Sequence, residues 1–146
     1  MAQNNYVSNA ETDNVSRKML AWLNTYPEKP VSLIEFEYLE TDKPSMALSI
    51  IQGAYKTKQY ISGGYVAQYQ FKVIYRVQPG RSNNARLNAD ELLNAMGDWM
   101  SSRSNYPDIG YRILRIVCDS RSSLFAAYEN GDEDHQILMT MTYEVI

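Results

Sequence analysis

From Tyr65 to Val77 the chain alternates without a break. Tyr65, Ala67, Tyr69, Phe71, Val73, Tyr75 and Val77 hold every second position, and Gln68, Gln70, Lys72 and Arg76 fill most of the others. Successive side chains on a strand point to opposite faces, so this run predicts a long strand with one buried and one wet face. The last residues repeat the pattern: Ile137, Met139, Met141, Tyr143 and Val145 alternate with Gln136, Thr140, Thr142 and Glu144. Around these two runs lie shorter candidates. Tyr55 to Ile61, joined to the long run through Ser62-Gly63-Gly64, reads as its hairpin partner. Tyr111 to Cys118 reads as a strand, and Phe125 to Tyr128 precedes an Asn130-Gly131 turn.

Two segments change period. In residues 10–25 Val15, Met19, Trp22, Leu23 and Tyr26 fall on one helical face, with Glu11, Asp13, Arg17 and Lys18 elsewhere. Ser8 and Glu11 have capping-box spacing, and Pro27 and Pro30 end the helix. A second helix is predicted over residues 88–102, with Leu92, Met96, Trp99 and Met100 on one face and Asn88 with Glu91 as its N-cap signature. Between the first helix and the long strand, Val31 to Tyr38 alternates so that Ile34, Phe36 and Tyr38 form an inward set. Asp42-Lys43-Pro44 is turn chemistry, and Met46, Leu48 and Ile50 begin a second strand, which predicts a hairpin. The order helix, strands, helix, strands gives an α+β fold: a mainly antiparallel sheet with both helices packed on one face. Residues 10–146 form one domain. Residues 1–9 are a polar N-terminal segment, expected to be flexible.

Composition removes several classes of function. With 14 Lys and Arg against 17 Asp and Glu, the chain has no broad positive field, so no specific nucleic-acid recognition is expected. No basic region precedes an apolar stretch at the N-terminus, and no apolar run is long enough for a membrane span. Twelve Tyr against three Phe and two Trp suits strands and subunit contacts alike. Cys118, the single cysteine, excludes an internal disulfide and a cysteine zinc site, and its apolar neighbours predict an inert buried thiol.

Catalytic signatures are missing. The one histidine, His135, follows the acidic run Asp132-Glu133-Asp134 and reads as a solvated loop-end residue; no Gly-x-Ser-x-Gly elbow accompanies it. Gly63-Gly64 lacks the Lys-Ser/Thr tail of a phosphate loop. Glu129, Asp132, Glu133 and Asp134 do not have the alternating spacing of a calcium loop and read as a solvated turn. No catalytic residue, cofactor or metal is expected.

Several features follow one another in a distinctive order. They are Trp22-Leu23 in a helix before a proline, Phe36-Glu37-Tyr38-Leu39 with Pro44 beyond, and Ser49-Ile50-Ile51-Gln52-Gly53. Gly63-Gly64-Tyr65 then runs into Tyr69-Gln70-Phe71, followed by a helix with Asn94 and Trp99, Pro107-Asp108-Ile109, and a terminal strand through Tyr143. In this order and spacing, residues 10–146 resemble the tail-terminator family of long-tailed bacteriophages, tail-completion proteins also filed as minor capsid proteins. The resemblance implies a virion protein at the head-proximal end of the tail, assembled in the host cytoplasm. It also implies a homo-oligomeric ring, commonly a hexamer, whose partners are the tail tube protein and the head connector protein. The Asn130 to Asp134 turn and the polar N-terminus have no counterpart in that pattern.

A head-to-tail ring needs two different patches on each copy. The expected pair is the acidic turn, Asp132, Glu133 and Asp134, against arginines drawn from Arg81, Arg86, Arg112, Arg115 and Arg121. Two other readings stand beside the terminator: a tail-tube or head–tail connector subunit, and, from a different class, a small-molecule binding module or hydrolase.

Overall fold

The computed structural model describes residues 5–146. The elements are helix α1 (Asn9–Leu23), strands β1 (Glu35–Phe36), β2 (Ser45–Ile50), β3 (Tyr55–Gln59) and β4 (Tyr65–Val77), helix α2 (Asn83–Ser101), and strands β5 (Arg112–Cys118), β6 (Ser123–Ala127) and β7 (Glu133–Val145). A short 3-10 turn, Arg103–Asn105, follows α2. The fold is α+β, as the alternation and the two helical stripes require.

Two strands of 13 residues each, β4 and β7, form the spine. They pair antiparallel along their whole length, from Tyr65 opposite Val145 to Val77 opposite Glu133. Each outer side of this ribbon carries two short strands end to end. β2 and β3 share the free side of β4, and β5 and β6 share that of β7. The single face that the alternation marks as apolar, with Ala67, Tyr69, Phe71, Val73, Ile137, Met139, Met141 and Tyr143, is fully buried.

Both helices cover that face. α1 buries Val15, Met19, Trp22 and Leu23, and Ser16 shares a 2.9 Å hydrogen bond with the Tyr69 hydroxyl beneath it. Ser8 caps α1 by accepting from the Glu11 amide at 3.1 Å. The other half of a capping box does not form, because both Glu11 carboxylate oxygens accept from sheet tyrosines, Tyr65 and Tyr143. Burial and this carboxylate hold both hydroxyls well above the ordinary tyrosine range. α2 begins five residues earlier than its sequence signature, with Ser82 as N-cap accepting from the Ala85 amide at 3.1 Å. Its buried stripe is Ala89, Leu93, Met96, Gly97 and Met100, so Leu92 and Trp99 sit at the margin. At Gly97 the helix lies closest to the sheet: a Cβ there would meet Ile137 Cδ1 at 2.5 Å. The helices meet where Trp22 and Trp99 stack, with ring centroids 5.2 Å apart.

The predicted hairpin of β1 and β2 is corrected: the two run parallel, with Glu35 opposite Ala47 and Phe36 opposite Leu48. Glu37, at φ 55°, turns the chain out of the strand after two residues, and Asp42, at φ 60°, turns it again. The extended line that β1 would have followed is taken by the Glu37 side chain, which accepts from Ser49 Oγ at 2.8 Å and from the Ile50 amide at 2.6 Å. Of the expected inward set only Ile34 is buried; Phe36 and Tyr38 are exposed. Residues 5–7 lie along β3, where the Val7 amide donates to Ala54 O and the Lys56 amide to Asn5 O. The expectation of flexibility for residues 1–4 lies outside the described residues. No helix among the described residues is long and apolar enough to cross a membrane.

Because Trp22 is buried, stacks on Trp99 and donates to Asn105 O at 2.7 Å, Trp22→Ala leaves a cavity and an unpaired carbonyl at the helix crossing. Urea unfolding is expected to show a loss of about 3–5 kcal/mol.

Candidate assembly surface

The acidic turn is not solvated. β7 starts inside it, and the register that places Arg76 opposite Asp134 and Val77 opposite Glu133 draws its carboxylates into the chain. Asp134 is buried and accepts two bonds from Arg76, Nε to Oδ1 at 2.7 Å and Nη2 to Oδ2 at 2.9 Å. The Arg76 guanidinium also donates to Glu40 O at 3.3 Å and lies 5.0 Å from the Tyr128 ring centroid, while the Tyr128 hydroxyl donates to Asp134 at 3.1 Å. This forked pairing raises the Arg76 pKa above the ordinary arginine value. Asp132, also buried, accepts from Asn130 Nδ2 at 2.8 Å and from the Asp42 amide at 3.3 Å. The Asn130 amide is the main cause holding its carboxyl below the usual range. Glu133 is gripped by Arg86, at 2.9 and 2.7 Å, which likewise lowers its pKa. The turn therefore clamps β7 to β4, to the start of α2 and to the loop after β1.

Of the candidate arginines, only Arg86 meets the acidic turn within the chain. Arg81 is exposed in the turn before α2. Arg112 and Arg115 project from β5 into solvent, Arg112 with a loose 3.8 Å approach to Glu144. Arg121 has an exposed 3.4 Å contact with Asp98. Arg76, which matters most to the turn, stands in the long alternating run among the wet-face residues; the signal for it was the cross-strand register, which one sequence does not print. Among the described residues no three His, Cys, Asp or Glu side chains converge to hold a metal ion.

His135 is also corrected: it is a buried strand residue, not a loop end. Its Nδ1 lies 2.8 Å from Asp90 Oδ1, and Ser122 Oγ donates to that same oxygen at 2.7 Å. Asp90 thus stands between hydroxyl and imidazole, so the serine proton points at the carboxylate and not at a histidine base. Ser122 is held further by its amide, which donates to Asn94 Oδ1 at 2.8 Å. These bonds fix the start of β6 to α2. Cys118 is half-buried and its Sγ lies 3.4 Å from Ser101 Oγ, again between sheet and helix. Two open surface grooves hold about 340 Å³ each, and neither is lined by His135 or Cys118.

The surface also carries exposed apolar side chains, Tyr6, Ile51, Ile61, Leu87 and Val117 among them. Leu33, Phe36 and Tyr38 are exposed around β1, and Leu124, Phe125 and Tyr128 around β6. The face of the sheet away from the helices is polar, with Gln68, Gln70, Lys72 and Gln136 half-exposed and the short Thr140 and Thr142 sunk between longer neighbours.

The same fold occurs in a solved structure. A chain from a solved structure titled "Virion of native gene transfer agent (GTA) particle" superposes with a TM-score of 0.59 at 10% identity, covering 90% of this chain and 98% of that one. No protein family matches the sequence, and no curated protein is similar to it.

Removing the Asp134 carboxylate leaves the Arg76 guanidinium buried without its partner. Asp134→Ala is expected to cost about 3–5 kcal/mol in chemical denaturation, more than any surface ion pair in this chain.

Proposed function

We propose that this chain is a structural virion protein of a phage-type particle and not an enzyme. Within that class we assign it the role of tail terminator: copies form a ring on the head-proximal end of the tail tube and present a surface to the head connector. The observation that carries this reading is the shared fold, which spans nearly the whole of a gene transfer agent virion chain and nine-tenths of this one. The ordered sequence features from Trp22 to Tyr143 support the finer assignment. Two features of the structure agree with it. The polar clusters around Asp134 and His135 are bonded to their own chain in ways that fix strands and helices, and exposed apolar side chains include Leu33, Phe36 and Tyr38 around β1 and Leu124, Phe125 and Tyr128 around β6. Such exposed side chains suit contacts with other subunits.

The test is mass in solution by light scattering, combined with negative-stain images and incubation with the cognate tail tube protein. A closed ring that stops tube elongation is expected. A protein that stays monomeric at every concentration and leaves tube growth unchanged would sink the assignment, and a protein that polymerises into tubes by itself would replace it with the tube-subunit reading.

A further inference from the structure

Three segments that are distant in sequence meet beside the acidic turn. Asp42 lies in the loop after β1, Gln78 directly after β4, and Asn130 and Asp132 in the turn before β7. Asn130 Nδ2 donates to Asp132 Oδ2 at 2.8 Å and to Asp42 Oδ1 at 3.0 Å, and Gln78 Nε2 donates to Asp42 Oδ1 at 3.3 Å. The Asp42 amide adds a 3.3 Å bond to Asp132 Oδ2. The four residues form one connected group, with Asp132 buried as its floor and Asp42, Gln78 and Asn130 exposed as its rim.

Two observations separate this group from the ion pairs next to it. The first is charge. Lys43 pairs with Glu40, Arg76 with Asp134 and Arg86 with Glu133, whereas neither Asp42 nor Asp132 has an ion-pair partner among the described residues. Two carboxylates are thus held together by neutral amide groups alone. The second is an orphaned atom. Asp132 is 1% exposed, and its Oδ1 is buried with no hydrogen-bond partner, while Oδ2 of the same carboxylate faces Asn130 and Asp42. A buried carboxylate oxygen without a donor is costly, and a bound cation removes that cost.

We propose that Asp42, Gln78, Asn130 and Asp132 hold one divalent cation of the calcium type. Their side chains offer only hard oxygen donors once the two amides turn end for end, which exchanges nitrogen for oxygen about the last side-chain torsion. For Asn130 the turn gives up the 3.2 Å bond that its Oδ1 accepts from the Asp132 amide, and contact of the cation with two carboxylates offsets that loss. Carboxylates and side-chain amides, completed by water, are the set that calcium accepts in irregular geometry. Magnesium demands a near-ideal octahedron, and zinc or copper favours nitrogen or sulfur donors. Asp42 and Gln78 lie far from the acidic run in sequence, so the spacing of that run gives no sign of the site. The bound ion ties the loop after β1 and the end of β4 to the turn that starts β7, whether or not the chain forms a ring.

The experiment uses the full chain, stripped with EDTA and dialysed. Calorimetric titration with CaCl2 should give one ion per chain, and the melting temperature should rise with CaCl2 and fall back with EDTA. MgCl2 at the same concentration should raise it less. Asparagine tolerates the left-handed backbone at position 42, where φ is 60°, and still accepts the neighbouring bonds. Asp42→Asn should therefore melt near the parent in EDTA yet bind calcium about tenfold or more weakly, since ligand charge sets the affinity of such sites. Gln78→Ala, at an exposed position, should also weaken binding, while Glu129→Gln, outside the group, should bind as the parent does. A parent chain that gives no heat and no calcium-dependent shift would overturn the site. Calcium binding left unchanged by both Asp42→Asn and Gln78→Ala would overturn it as well, by placing the ion elsewhere. Equal shifts with magnesium and calcium would overturn the assignment to calcium.

Discussion

The pairing of β4 with β7 is the interaction on which the rest of the molecule depends. It runs without a register break from Tyr65–Val145 to Val77–Glu133, and it brings together the two runs whose apolar faces make the core. A ribbon of two strands is marginal in water by itself. Here it is stabilised by helices laid on one face and by short strands hydrogen-bonded along both sides. Because side chains alternate with a period of two, a slip of one residue would turn Tyr69, Phe71, Met139 and Met141 to solvent, so burial of one face fixes the register.

Polar anchors at the two ends of the ribbon reinforce that register. Near one end Glu11 takes bonds from Tyr65 on β4 and Tyr143 on β7, tying both strands to α1. At the other, Asp134 and Arg76 pair across the strands, and Glu133 reaches Arg86 on α2. Buried ionic pairs contribute little net stability compared with apolar packing, but an unpaired member is costly, so such pairs penalise alternative registers. The same consideration separates Glu133 and Asp134 from any role that needs free carboxylates. Asp134 is enclosed by Arg76 and Tyr128, and the exposed arginines of β5 and the β5–β6 loop are left facing outward.

The architecture was legible wherever one side-chain period persisted. The alternation through β4 and the end of β7, and the stripe of α1 from Val15 to Leu23, each recorded a single buried face. Legibility failed where a backbone turn or a tertiary partner overrode local pattern. Val31 to Tyr38 alternates as a strand should, but Glu37 adopts a left-handed conformation after two paired residues, so Phe36 and Tyr38 lose their shared face. α2 begins at Asn83, after the N-cap Ser82, whose capping bond to Ala85 lies ahead of the apolar stripe that marked the helix. His135 and the acidic run looked solvated because charged residues beside Asn130-Gly131 read as a turn. Their burial comes from Arg76, Arg86 and Asp90, which are distant in sequence and join them only through the β4–β7 register. For the candidate surface, the arginines are visible in the sequence, but which of them is bound within the chain is not, since the grip of Arg86 on Glu133 depends on where the β4–β7 register sets the turn.

One two-strand spine organises the chain. Hydrogen–deuterium exchange followed residue by residue tests this most directly. The amides of Phe71 to Val73 and of Ile137 to Met139 should be the slowest to exchange, since they sit mid-ribbon under the helices. Faster exchange in the middle of β4 and β7 than in the helices would contradict it.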